Sequence, residues 1–169
     1  MAKRKTYWET DPIMLEKKRK TMKDKLKLLV LDGDLLEAGV DLFIATFSVQ
    51  PWNDVYESRD QVVTFFKHHM NNNYFLGYVL KLDDEIVALS LGFQKPWISG
   101  MEYYIDEFCV KKTVQKMGIG SQFLALIEAD IQEKQMNAII LNTNKGFPAE
   151  QFYLKNGFEP LEDIIVLAK

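Results

Sequence analysis

The 169 residues include one cysteine, two histidines, five prolines and nine glycines. A single cysteine, Cys109, excludes an internal disulfide. Between Phe108 and Val110 it reads as a buried strand position, with nothing near it in sequence to lower its pKa and make a reactive thiol. The two histidines, His68 and His69, end an amphipathic stretch and have no ligand cluster at metal spacing, so no metal is expected and neither is assigned a catalytic role. No run approaches the roughly 18 uncharged apolar residues of a membrane span, and the basic opening has no apolar stretch behind it. The expectation is therefore a cytoplasmic protein without a membrane partner. Repeats, low-complexity tracts and Gly/Ser-rich linkers are also missing, and with 47% hydrophobic residues the chain suits one well-buried core.

What is present is unevenly charged. Residues 1–27 carry ten Lys/Arg against four Asp/Glu, so the net charge of −3 hides a body near −9. Such a body disfavours nucleic acid as a partner and suits a cationic substrate. Residues 1–26 read as a basic extension, a peripheral helix or partly ordered, with the run Lys17 to Lys20 as a solvated face. One domain is expected over 27–169.

Lys27 to Leu31 predicts a short strand closed by Asp32-Gly33-Asp34, with Asp34 capping the next helix. That helix aligns Leu36, Val40, Phe43, Ile44 and Phe47 and is broken at Pro51-Trp52-Asn53. Ser58-Arg59-Asp60-Gln61 has capping-box spacing ahead of a second helix with Val62, Phe65, Phe66 and Met70 on one face. Tyr74 to Leu82 and Ile86 to Gln94 predict a hairpin, and Glu102 to Lys111 a third long strand. Ile119, Phe123, Leu124, Ile127 and Ile131 recur at helical spacing before the apolar run Ala138 to Leu141, so residues 102–143 read as a strand–helix–strand unit. Pro148 opens a last helix through Lys155, stopped by Asn156-Gly157. Phe158 and Ile164 to Leu167 predict a final pair of strands.

Between the third long strand and its helix lies Gln115-Lys116-Met117-Gly118-Ile119-Gly120. A loop leaving a strand and entering a helix offers unpaired backbone N–H groups and a positive dipole end, which bind phosphate without a charged side chain. Gly118 and Gly120 would let the anion approach, although two glycines can also merely turn a corner. A Rossmann fingerprint after the first strand is absent, as is a Walker-type lysine.

Glu107-Phe108-Cys109-Val110-Lys111 followed by Gln115-x-x-Gly118-x-Gly120-Ser121 resembles the strand-four and pyrophosphate-loop motif of the GNAT acetyltransferases. Ala149-x-x-Phe152-Tyr153-x-Lys155-x-Gly157-Phe158 is similar to that family's late helix and turn. The resemblance implies an α/β (α+β) fold, a mostly antiparallel mixed sheet of about six or seven strands, splayed at the cofactor site and flanked by helices. Acetyl-CoA is the implied cofactor. The amides of Gln115, Lys116, Met117, Gly118, Ile119, Gly120 and Ser121 would hold its pyrophosphate, and the strand edge at Phe108, Cys109 and Val110 would pair with its pantetheine amides. Many members carry an asparagine seven residues before the late tyrosine; here that position is Gly146, with Asn144 offset.

Acetyl transfer to an amine needs a neutral nucleophile, a polarised thioester carbonyl and a proton for the departing thiolate. The resemblance puts Tyr153 at the sulfur, a backbone N–H near Val110 at the carbonyl, and Asp106 or Glu107 as the carboxylate that deprotonates the amine. In a regular strand only one of the pair faces the cleft; a bulge would change which. Trp52, Asp54, Tyr56 and Trp97 are candidate walls of the acceptor pocket, with plain packing the competing role for the tryptophans. The function expected is acetyl-CoA-dependent N-acetylation of a small cationic amine, similar to aminoglycoside and polyamine acetyltransferases. A protein or peptide N-acetyltransferase and a non-catalytic CoA-binding module are the competing readings. Homodimers are common in the resembled family, and oligomeric state stays open.

Overall fold

A computed structural model describes residues 24–169. Most of the basic extension therefore lies outside the described residues. Strand Leu26–Val30 (β1) leads through a 3₁₀ turn into helix Leu36–Phe47 (α1), and Arg59–Met70 (α2) follows. Then come strands Tyr78–Leu82 (β2), Glu85–Trp97 (β3) and Gly100–Val110 (β4), helix Ile119–Glu133 (α3), strand Ala138–Leu141 (β5) and helix Pro148–Lys155 (α4).

The helix ends follow local chemistry. Ser58 Oγ accepts from the Gln61 amide at 3.2 Å, and the Gln61 side chain accepts from the Glu57 amide at 2.9 Å, so the box closes one residue upstream of its usual partner. The start of the first helix differs from expectation: α1 itself has no side-chain cap, and Asp32 rather than Asp34 caps the 3₁₀ turn that leads into it. Asp32 has the extended backbone a cap requires and accepts from the amides of Asp34 and Leu35, whereas Asp34 already lies inside the turn. Gly157, at φ 86°, ends α4 in the left-handed conformation.

The five strands form one sheet in sequence order, antiparallel from β1 to β4, with β5 parallel to β4. Each face of the sheet carries its own core. Leu31, Val40, Phe43, Phe47, Phe66, Leu89 and Leu91 bury against α1 and α2. Tyr78, Leu80, Tyr103, Ile105, Phe123, Ile127 and Tyr153 bury against α3 and α4.

The expected last pair of strands does not form. Residues 158–169 lie outside regular structure, and Ile164 to Leu167 are exposed, Leu167 by 81%. Pro160 removes a donor, and a turn from the Leu161 carbonyl to the Ile164 amide leaves five residues beyond it. The apolar pattern met strand propensity without gaining a ladder partner.

Two irregularities in β4 prepare the site. Leu91 pairs with Glu107 and Gly92 with Ile105, so Asp106 is an extra residue that bulges out of the ladder. In addition, β5 pairs only with Glu102 to Ile105. From Asp106 to Val110 one edge of β4 therefore has no neighbouring strand among the described residues.

Gly92 holds the bulge closed. A Cβ there would stand 2.3 Å from the Tyr104 carbonyl oxygen and 2.8 Å from the Tyr103 ring. Gly92→Ala is expected to lower unfolding free energy by about 2–4 kcal/mol, since backbone must move to admit the methyl. Gly33→Ala, with nothing within 4 Å, should stay within about 0.5 kcal/mol. Urea unfolding of both variants checks this, and equal small losses would show that the bulge tolerates a side chain.

Candidate active site

The loop before α3 presents a set of unpartnered backbone amides suited to an anion. Gln115 Nε2 donates to the Val110 carbonyl at 2.9 Å and fastens the loop to the end of β4. Lys116 at φ 63° and Gly118 at φ 85° both take left-handed conformations, which turns successive amides toward one side. At Lys116 this geometry costs on the order of 1 kcal/mol. None of the amides of residues 116–121 meets an acceptor among the described residues, no side chain caps the helix, and its first turn holds no acid. This is the environment a phosphate group needs.

The two glycines of the loop have different reasons. Gly118 supplies a positive φ. At Gly120 the φ is ordinary, and a Cβ would come 3.0 Å from the Phe152 ring, so glycine there lets α4 approach α3 rather than clearing a path for an anion. Met117 is exposed, while Ile119 is buried in the core. Gly146 has its amide taken by Glu150 at 2.7 Å, and Asn144 offers its carbonyl to Phe147.

The open edge of β4 adjoins this cradle. Phe108 turns toward α3 and α4, its ring 5.2 Å from Phe123 and 5.7 Å from Phe152, and Val110 packs on the same side. Cys109 points the other way into the core with α1, and burial pushes its thiol up to about 12. Its side chain is inert at neutral pH, so only its backbone can serve a ligand. An extended ligand with amide groups fits beside this edge as a further strand would.

Tyr153 ends the slot. Its side chain is 8% exposed, and no partner for its hydroxyl exists among the described residues, whereas Tyr103 bonds Ser90 and Tyr78 bonds Asp130. Burial first, then the charge of Glu107, hold its pKa above the ordinary tyrosine value. It therefore keeps its proton and has a free hydroxyl to donate.

On the far side of the bulge, Asp106 meets α2 and Glu107 lies within the field of α2 and of the α1–α2 connection, so both carboxylates face the same side, which a regular strand would forbid. Asp106 Oδ2 lies 2.6 Å from His69 Nε2, and Glu107 feels Asp106, His69 and Asp54. Burial is the main cause that raises the Glu107 carboxyl to about 7, with Asp106 and Asp54 adding and His69 opposing. Tyr56 donates to Asp54 at 3.3 Å, and Trp52 packs edge-on against Phe47 at 5.2 Å. Trp97 is set apart: it ends β3 at the hairpin tip, bonds Glu102 and lies under the Lys95 ammonium. It lies six positions along β3 from Leu91, about 20 Å along the sheet.

His69 is the residue that sequence reasoning passed over. Its sole local signal is the i, i+4 relation to Phe65, whose carbonyl lies 3.0 Å from Nδ1. The partner that gives it meaning is 37 residues away. Among the described residues no group of three or more His, Cys, Asp or Glu is placed to hold a metal, and no helix is long and apolar enough to cross a membrane.

Residues 37–158 match the family model described as the acetyltransferase (GNAT) family. An aminoglycoside acetyltransferase from an uncultured soil metagenomic sample, solved with sisomicin, superposes at a TM-score of 0.69 with 19% identity, over 88% of this chain and 97% of that one. AAC(6')-Iy in complex with a bisubstrate analogue, CoA-S-monomethyl-acetylneamine, aligns at 0.66 with 13% identity, over 85% and 97%. A GNAT family acetyltransferase from Staphylococcus aureus aligns at 0.67 with 14% identity, over 86% and 99%. No curated protein matches the chain in sequence.

The raised Glu107 midpoint fixes a sign. The folded protein keeps that proton to about 7 while the unfolded chain releases it near 4.5, so the wild type loses stability as pH climbs through this window. Glu107→Gln is spared the loss. Its stability advantage is expected to grow between those two values and level off above them, as read by urea unfolding across pH; a flat difference would mean the carboxyl titrates normally.

Proposed function

Because the chain belongs to the GNAT acetyltransferase family, we propose that it transfers the acetyl group of acetyl-CoA to a primary amine of a small cationic molecule. The observation that carries this reading is the placement of a free Tyr153 hydroxyl and a Glu107 carboxyl poised near neutrality within each other's field, beside the open edge of β4. The residues present fit the cofactor: the amides of 116–121 suit its pyrophosphate, and the edge from Phe108 to Val110 suits the amide arm. When bound, acetyl-CoA supplies an acyl group activated as a thioester.

The chain's own residues would then divide the work. Loop amides and the α3 dipole hold the phosphates, and the Phe108 and Phe152 rings wall the slot against water. Glu107 takes the proton from the incoming ammonium, since a base with a midpoint near 7 is ready at cellular pH yet basic enough to accept it. Tyr153 gives its proton to the departing thiolate. Asp54 and Glu107 draw a cation into the acceptor side, where the Trp52 and Tyr56 rings offer faces for it. The solved neighbours described as aminoglycoside acetyltransferases add support for an amine of this size and charge.

The decisive experiment measures CoA thiol release with a panel of polyamines, aminoglycosides and lysine peptides, alongside calorimetry with acetyl-CoA. Acetyl-CoA should bind, and a small polyamine or aminoglycoside should be acetylated. Tyr153→Phe and Glu107→Gln are expected to keep acetyl-CoA affinity and to lose ~10²–10⁴-fold in turnover. Efficient acetylation of a peptide lysine with inert small amines would transfer the reading to a protein substrate, and binding without any thiol release would leave a CoA-binding module.

A further inference from the structure

Glu107 has a rival. The bulge sets Asp106 beside it on the acceptor side, where the charge of Asp106 works against ionisation of Glu107. Three groups of other elements face Glu107, namely Asp54 and Tyr56 from the α1–α2 connection and Tyr153 from α4, and none of them is cationic. The cation among its neighbours comes from α2, and it is His69.

The hydrogen bonds of His69 determine how many protons it and Asp106 hold. Nδ1 faces the Phe65 carbonyl, which can only accept, so Nδ1 carries hydrogen. Nε2 lies 2.6 Å from Asp106 Oδ2, the separation of a charge-assisted bond, so one proton lies between them. Whether written imidazolium with carboxylate or imidazole with carboxylic acid, the pair has zero net charge. The ring is 15% exposed and rests edge-on against Phe65 at 4.5 Å, so helix α2 fixes where this bond points.

We propose that His69 is a positioning residue that holds Asp106 in a neutral pair, so that of the two carboxylates at the bulge only Glu107 is left free to act on the amine. This rests on the acetyltransferase reading for its chemical purpose, but the pairing is a property of the protein alone. The hydrogen bond to Asp106 raises the pKa of His69 above its ordinary value, which favours the imidazolium–carboxylate form. With the imidazolium removed, Asp106 regains its full negative charge next to Glu107 and makes it harder to ionise.

Carboxyl ¹³C NMR titration of the ligand-free protein tests this in wild type, His69→Gln and the double variant His69→Gln/Asp106→Asn. The Glu107 midpoint is expected to rise by on the order of one pH unit in His69→Gln, and to return to within a few tenths of wild type in the double variant, where both charges are gone. With the most active amine, the acid limb of kcat/KM should move by the same amounts. An unmoved Glu107 midpoint in His69→Gln, or a shift that Asp106→Asn does not reverse, overturns the proposal. A purely structural His69 would lower melting temperature without moving either. Should His69→Gln fail to fold, Asp106→Asn is read through the His69 ring ¹⁵N signals: a midpoint that falls supports the pair, and one that stays overturns it. Midpoints that shift as expected in a protein inactive toward every amine would sink the proposed function and leave the pairing standing; an active enzyme with fixed midpoints would do the reverse.

Discussion

One extra residue in one strand organises this molecule. Asp106 has no ladder partner, and at that point β4 parts from β5 while staying bound to β3. The parting leaves backbone groups along five residues without a strand, and such groups must find partners in a ligand or in water. The same irregularity brings both carboxylates to the acceptor side. The open edge of β4 and the placement of its two carboxylates therefore arise from a single backbone feature, kept tight by the absence of a side chain at Gly92.

The two halves of the site solve opposite electrostatic problems. An acidic body would repel a polyphosphate, yet the cradle at residues 116–121 acts through amide dipoles at close range and needs no basic side chain. The negative field is then left to act on the side of Asp54 and Glu107, where it would favour a cation over an anion. A cradle built from lysines would have cancelled that field.

Features set by neighbours in sequence were legible there. The Ser58 cap, the left-handed Gly118 and Gly157, and the core faces of the four helices all depend on residues within a turn or two. The cap at Asp32 was misread by two positions because Asp34 has the same side chain, and backbone conformation alone separates them. The role expected of Tyr153 came through a resemblance spanning motifs, whereas the loop of residues 115–121 was singled out by its place between strand and helix before the resemblance added to it. What stayed hidden was long-range: the contact of Gly120 with Phe152, the tie from His69 to Asp106, and the distance of Trp97 from the cleft. Ile164 to Leu167 show the converse error, since their pattern is that of a strand and a strand exists only where something pairs with it.

The bulge also separates two kinds of change that the site can undergo. A substitution at Asp106 or Glu107 alters one side chain and leaves every neighbour where it was. Deleting Asp106 would remove the bulge and leave the later side chains on their present faces, but drawing it into the ladder with every residue kept would turn the rest of β4 over, sending Phe108 and Val110 toward α1 and α2 and Glu107 and Cys109 toward α3. The lining of the slot and the acceptor side would trade places. Register at this one position is therefore a coordinate of the chemistry in its own right, separate from the identity of any one side chain.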